Sequence, residues 1–368
     1  MQNFVIKNLV TENIDAELEK IGFDVSYRKK ACDKFQYKTF KIFELSLPQA
    51  NILKQTALTV GADCGVHRDV LTGNVDKTNV ILGGSYSQIK KICEKLNHQP
   101  FSLKYLSNKI LSHLKNKKEK TKLVGILNIT PDSFSDGGKY INPEDARKHL
   151  YQLIKDGADM VDIGAESTKP FSCPVDSKEQ IKRLEPILKN IPDIPISIDT
   201  KNSEVALFAL DCGVKYINDV SGLDNDPKIA DYVAKYNAGI ILQHSAKTSE
   251  ERPLYNDVIE EVYLKLLNKI NLAKEKNINN IIVDPGISFG KSSENNFEIL
   301  HRFEEFYSLK KPLMIGISRK SFLGITNDDN ALKDSLSLAL SYPLMLKNID
   351  YLRVHNVKLH KQLLNLIS

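Results

Sequence analysis

The chain has 368 residues and a formal net charge of +5, with 42% hydrophobic and 26% charged residues. So small a charge does not by itself argue for a nucleic-acid partner, and no window approaches the roughly 18 apolar residues of a spanning helix, which argues against membrane contact. The N-terminus lacks a signal peptide's apolar stretch, so a cytoplasmic protein is expected.

The five cysteines, Cys32, Cys64, Cys93, Cys173 and Cys212, are odd in number, widely spaced and free of any CxxC, which predicts reduced thiols. Residues 1–120 are expected to form a small α/β domain. Residues 50–58 and 86–96 read as helices, and 78–82 as a strand ending at Gly83-Gly84. That strand–glycine–helix join could hold an anion, but a plain turn accounts for it. Residues 67–74 match the spacing of a kinase catalytic loop, but no Gly-rich loop, strand lysine or DFG accompanies them, and chance explains the match. Residues 114–122, LKNKKEKTK, cannot be buried and place the domain boundary near residue 120.

Beyond the boundary, short β-branched runs occur at 123–128, 160–164, 194–199, 216–218, 239–243, 281–284, 313–316 and 351–355. Helical periodicity fills stretches between them, as at 144–155, 179–189, 256–275 and 332–346. Eight strand–helix units in about 250 residues predict a TIM (β/α)8 barrel over 121–368. An open doubly wound sheet is the alternative, but it would want a Gly-rich dinucleotide fingerprint that is absent. Asn128, Glu166, Asp199, Asn218, His244, Asp284, Ser318 and His355 all fall at or just after the C-terminal end of a run. That end is the catalytic face of such barrels.

The motifs follow in the same order. NITPDSFSDGG begins at Asn128, whose neutral amide oxygen suits Mg²⁺ or a phosphate-bound water. Phe134 in this polar loop reads as an anchor or a lid. GAESTKP carries Thr168, Lys169 and Pro170; SIDT delivers Asp199; INDVSG delivers Asn218; DPGISFGK holds Asp284, Phe289 and Lys291. Asp199, Asn218 and Asp284 together suit a ring edge that mixes N–H donors with acceptors. Each alone has a plainer reading as a helix cap. GISRKS places Lys320 before Ser321, where a helix is expected to begin beside an anion site. RVHN puts Arg353 and His355 two apart on one strand face, a donor fork beside an imidazole. Their plainer reading is a rim salt bridge with Asp350 or another acid.

These seven co-linear motifs resemble those of the dihydropteroate synthases over residues 121–368. The resemblance implies condensation of 6-hydroxymethyl-7,8-dihydropterin diphosphate with para-aminobenzoate, releasing pyrophosphate, in folate biosynthesis. It implies that Asn128 helps hold Mg²⁺ and the diphosphate, with Arg353 and His355 as anion partners and Arg353 also against the pterin face. Asp199, Asn218, Asp284 and Lys320 resemble the pterin-reading set. Thr168, Pro170, Phe289 and Ser321 resemble the aminobenzoate pocket, and Phe134 and Asp136 the first loop. It further implies a homodimer formed through the barrel and a target for sulfonamides.

No strong nucleophile or general base stands out, so loss of pyrophosphate before attack is expected, with charge stabilisation by Mg²⁺, Arg353 and His355. Lys169, Phe171, Gln243, Ile287 and Ser288 depart from the family pattern and bear on inhibitor fit. Two other functions compete: methyl transfer from folates to a corrinoid, which would not need SRKS or RVHN, and a catalytically silent pterin-binding homologue, against which the intact Asn128, Lys320, Arg353 and His355 argue.

Overall fold

The structure, a computed structural model, describes residues 6–10, 13–114, 119–130, 142–166, 175–245, 255–325 and 329–367. The chain divides into two compact units, Met1–Lys117 and Lys118–Ser368.

The first unit contains α1 (Ile14–Lys20), α2 (Val25–Phe35), β1 (Tyr37–Ser46), α3 (Leu47–Leu58), β2 (Asp63–Gly65), β3 (Lys77–Ser85), α4 (Tyr86–Leu96) and α5 (Leu103–His113). Its antiparallel sheet has the order β1-β3-β2. Alternation along β3 buries Val80 and Leu82 against Leu53, Ile89 and Ile92 of the helices. β3 does not stop at the glycines as the sequence suggested: Gly83 and Gly84 pair with Thr39 and Lys38 of β1. A side chain at Gly83 would collide with the Tyr37 hydroxyl, so glycine lets the strand continue beneath that ring. Ser85 then closes a capping box with Gln88 and starts α4.

The second unit runs β4 (Lys122–Asn128), α6 (Pro143–Lys155), β5 (Met160–Gly164), α7 (Ser177–Leu188), β6 (Ile196–Asp199), α8 (Ser203–Asp211), β7 (Tyr216–Asp219) and α9 (Lys228–Lys235). It continues with β8 (Gly239–Gln243), α10 (Val258–Glu275), β9 (Ile281–Asp284), α11 (Ser293–Arg302), β10 (Met314–Ile315), α12 (Asn330–Leu346), β11 (Tyr351–Val354) and α13 (Val357–Ile367). All eight strands are parallel, in the order β10-β11-β4-β5-β6-β7-β8-β9. A bridge between Val283 and Leu313 joins the two ends, with Val283 N donating to Pro312 O at 2.9 Å. The result is a TIM barrel, with helices packed over the outward residues of every strand.

Period-two alternation sorts the residues within each strand. Outward-facing Leu123, Leu127, Ile163, Ile198, Ile217 and Leu242 join the large helix-covered core. Inside, Val124, Met160, Ile241, Ile282 and Met314 form a separate apolar layer against Tyr216 and Tyr351. One step further toward the C-terminal ends the layer turns polar: Asp162, Ser197, Asn218, Gln243, Asp284 and Arg353 are all buried.

Ser321 does not open an α-helix. Ser321–Leu323 is a single 3₁₀ turn that ends at Gly324 in the left-handed region, and α12 begins at Asn330. So short a turn has little aligned dipole, and the expected anion site at a helix N-terminus is lost. Among the described residues the cysteines 32, 64, 93 and 212 are free thiols, and no helix is long and apolar enough to cross a membrane.

Candidate active site

Asp162 lies at the centre of the polar layer. It is 4% exposed in the middle of β5. Its Oδ1 accepts from Ser197 Oγ at 2.6 Å, and its Oδ2 accepts from Asn218 Nδ2 at 2.8 Å and Arg353 Nη1 at 3.3 Å. Arg353 spans the barrel: its Nη2 donates to Gln243 Oε1 at 3.2 Å and lies 3.4 Å from Asp284 Oδ2. Burial opposes the charge, but Asp284, Asp162 and Asp199 around it raise the guanidinium pKa further. A glycine at 316 makes room, since a Cβ there would approach Arg353 Nε to 3.1 Å. The partners of Arg353 are therefore interior acids and an amide, not Asp350, which instead accepts from Leu313 N at 2.8 Å.

Asp284 divides its two oxygens. Oδ1 accepts from Gly286 N at 2.7 Å and shapes the turn, while buried Oδ2 has no hydrogen bond. Asn218 is alike, with Nδ2 taken by Asp162 and buried Oδ1 unpaired. Its neighbour Asp219 closes the turn that follows the strand, accepting from Ser221 N at 2.8 Å and Leu223 N at 2.7 Å. Two buried acceptors without a hydrogen bond in one polar layer, one of them held only by the Arg353 ion pair at 3.4 Å, call for a ligand with N–H or O–H donors.

Lys320 lies within electrostatic reach of Asp284 and Asp199. Its ammonium donates to Ile287 O at 3.2 Å and stands 4.1 Å above the Phe289 ring. Burial, then the Arg353 charge, pulls its pKa down to about 7, while Asp284 and Asp199 act the other way. Burial and Asp162 push the Asp199 carboxyl up to about 7, opposed by Arg353 and Lys320. By surface area both residues are only half-buried, but their charged ends point among other charges, and the directions of both shifts follow from that crowding.

Lys320 owes its position to Arg319. That residue has φ 57°, and its guanidinium is clasped by Asp334, with Nε to Oδ1 at 2.8 Å and Nη2 to Oδ2 at 2.9 Å. Its backbone N also donates to Ser337 Oγ at 3.2 Å. Of two adjacent cations, one is thus tied to α12 and the other turns to the site.

His355 lies just past β11. Its backbone N donates to Ser318 Oγ at 3.2 Å, and its Nδ1 is 3.0 Å from the same oxygen. A hydroxyl that accepts from the backbone has its own proton free for Nδ1, which leaves the proton of the neutral ring on Nε2. Burial and the Arg319 charge hold the imidazole pKa down at about 3. With the ring neutral, charge stabilisation by His355 would run through its Nε2–H donor and not through a positive charge.

Asn128 sits exposed at the end of β4, its Oδ1 beside Gly164. Phe289 is half-buried under Lys320, and Ser321 is exposed. Phe134, Asp136, Thr168 and Pro170 lie outside the described residues, as do Lys169 and Phe171. Sequence reasoning missed Asp162, whose only signal was a carboxylate inside the apolar run MVDIG. It also left Gln243 among the departures from pattern, although Gln243 accepts from Arg353.

The chain matches the family described as pterin binding enzyme over residues 124–355. It is 39% identical to a dihydropteroate synthase of Clostridium beijerinckii over 247 residues, covering 65% of this chain and 90% of that one. A bifunctional dihydropteroate synthase/dihydropteroate reductase of Helicobacter pylori is 31% identical over 99% of this chain and 98% of its own length. The solved structure of Xanthomonas albilineans dihydropteroate synthase in complex with 7,8-dihydropteroate superposes with a TM-score of 0.60 at 31% identity, covering 68% of this chain and 94% of that chain. With a buried acceptor-lined mouth on a TIM barrel and these relatives, the chain belongs to the pterin-binding enzymes, among the dihydropteroate synthases.

Proposed function

We propose that the chain condenses 6-hydroxymethyl-7,8-dihydropterin diphosphate with para-aminobenzoate, as a dihydropteroate synthase of folate biosynthesis. The observation that carries this reading is the pair of buried acceptors without a hydrogen bond, Asn218 Oδ1 and Asp284 Oδ2, with the Lys320 ammonium in electrostatic reach of Asp284. A pterin offers ring N–H and exocyclic NH₂ donors on one edge and a carbonyl on another, which matches that set. Asp199 adds a further acceptor once ionised. Phe289 and Ser321 border the mouth on the side of Lys320 and would receive the aminobenzoate, with Thr168 and Pro170; Phe134 and Asp136 would belong to the covering loop.

In the reaction the bond from the pterin methylene carbon to the diphosphate oxygen breaks, and the amine nitrogen then forms a bond to that carbon. The bonding pair leaves with pyrophosphate, and the nitrogen sheds one proton. Electron release from the pterin ring favours departure before attack, so the protein's task is to hold the ring and steady the leaving charge. Arg353, fixed by Asp162 and Gln243, supplies a positive charge in a dry layer, and His355 supplies an Nε2–H donor.

Among the described residues no cluster of three His, Cys, Asp or Glu could hold a metal unaided. One exposed amide oxygen, that of Asn128, fits a Mg²⁺ that arrives already bound to diphosphate oxygens. Such an ion would polarise the leaving group.

The experiment is direct: incubate the chain with the pterin diphosphate, para-aminobenzoate and Mg²⁺, and follow pyrophosphate and dihydropteroate together. Equal release of both supports the reading. No turnover, with no binding of the pterin, ends it. Gel filtration of the same sample tests the homodimer that the family resemblance implies.

A second reading concerns the first unit. The likeness to the Helicobacter pylori bifunctional protein runs through 99% of this chain, not the barrel alone. The chain would then also reduce the C=N bond of dihydropteroate, its carbon taking hydride from a reduced flavin or nicotinamide and its nitrogen taking a proton from water. Loss of dihydropteroate absorbance on adding either donor tests it.

A further inference from the structure

Asp162 touches no described rim loop, yet it decides what the pocket can read. Its Oδ2 receives the Asn218 amide nitrogen at 2.8 Å. Turning that amide over would set two oxygens against each other at the same distance in a buried layer, which is strongly unfavourable. The amide is therefore locked with its nitrogen inward, and the unpaired Oδ1 is what remains for a ligand. The same carboxylate fixes one arm of Arg353, whose other arm lies between Gln243 and Asp284. Without Asp162, Asn218 could offer either an oxygen or an NH₂ group, and the pocket would accept rings of either polarity.

We infer that Asp162 is a specificity-determining residue: by holding the Asn218 nitrogen and the Arg353 fork, it restricts the site to a ring edge that carries hydrogen-bond donors. This rests on the pterin reading above. Asp162 acts through other side chains and is a positioning residue.

Discrimination between two rings is the readout, since damage to packing alone would weaken both equally. The probes are 6-hydroxymethylpterin and its 2-oxo counterpart, in which the exocyclic NH₂ donor becomes a carbonyl acceptor. Binding of each is measured by calorimetry to the wild-type chain, Asp162→Leu and Asp162→Asn. The wild type should prefer the pterin at least tenfold. Asp162→Leu, branched alike but bulkier and without an acceptor, should bring the ratio to within about threefold. Asp162→Asn should keep most of the preference. Its oxygen can stay toward Asn218 and Arg353, because Ser197 Oγ can accept from its NH₂.

Should Asp162→Leu fail to fold by circular dichroism, Asp162→Ala removes the same acceptor with less strain and gives the same ratio test. An unchanged ratio in a folded Leu or Ala variant overturns the inference while leaving the synthase reading intact. A wild type that binds neither ring overturns both.

Discussion

Lys291 Nζ meets His244 Nδ1 at 2.9 Å while donating to Gly286 O at 2.8 Å and Phe289 O at 3.2 Å. One buried ammonium thus ties the residue after β8 to both ends of the loop after β9. Burial lowers its pKa to about 7, with Asp284 opposing. Burial and the Lys291 charge keep His244 unprotonated, its pKa near 2, so Nδ1 can accept. The loop has no slack: a Cβ at Gly286 would overlap the His244 carbonyl oxygen.

Lys291→Met should therefore loosen the segment that carries Ile287 and Phe289. It takes the donor from Phe289 O and an imidazole nitrogen, at about 1–3 kcal/mol for each buried group left without a partner, while Gly286 O keeps the Phe289 N–H. We expect a lower melting temperature and a KM for both substrates raised about tenfold or more. Steady-state kinetics beside thermal denaturation checks this; wild-type KM values would remove the role.

The Arg319–Asp334 clasp makes a separable prediction. Asp334→Ala frees a guanidinium that is itself partly exposed, so the stability lost should stay near 1.5–3 kcal/mol, about that of one charged hydrogen-bonded pair. Lys320 and His355 flank the clasp through the same loop and Ser318, so pterin affinity should fall with it. A double-mutant cycle with Arg319→Ala measures the coupling. If Asp334→Ala leaves pterin binding unchanged, the pair serves only to pin α12.

Arg353→Ala should be far more damaging than its size suggests. It would leave Asp162 and Asp284, each almost wholly buried, without their shared cation, a loss of about 3–5 kcal/mol. Arg353→Lys keeps the charge but cannot reach Asp162, Gln243 and Asp284 at once. The lysine variant should fold and lose at least a hundredfold in kcat. Near-normal kcat in a folded lysine variant would show that charge alone suffices there.

The barrel was legible because its signal is local and periodic: each strand run announces itself, and eight in sequence close one sheet. What stayed hidden depends on partners remote in sequence. Asp162 is one acid in MVDIG, and its importance comes from Ser197, Asn218 and Arg353, which reach it only once the sheet curls. Arg319 and Lys320 read alike as neighbouring cations until Asp334, fifteen positions on, claims the first. Ser321 was misread as a helix start because a hydroxyl before apolar residues is the ordinary cap pattern, whereas Gly324 ends that turn almost at once. The Gly83-Gly84 pair misled in the opposite sense, since β1 supplies the pairing that keeps the strand going.

Asp199 and Lys320 give the ligand-free protein a distinctive response to pH. Asp199 titrates near 7 in the fold against 3.8 for a free aspartate, so between those values the folded protein holds a proton that the unfolded chain has released. Stability tied to Asp199 is therefore full below about pH 4 and declines as pH rises through 7. Lys320 titrates near 7 against 10.5, so between 7 and 10.5 the unfolded chain holds the extra proton. Its share of stability is present above pH 10.5 and declines as pH falls through 7. The two slopes meet in a shallow minimum near neutrality. A pterin that donates to Asp199 and accepts from Lys320 favours both charged forms and should flatten that minimum. His244 and His355, held unprotonated in the fold, add a slope of the opposite sign below about pH 6.5, so the Asp199 share is read as the difference between wild type and Asp199→Asn. Melting temperatures across pH 5–9 should give a difference that falls as pH rises toward 7, and added pterin should raise the wild-type value most near neutral pH. Parallel curves for wild type and Asp199→Asn would mean that Asp199 ionises as it does in water, and that its proximity to Asp162 carries no electrostatic weight.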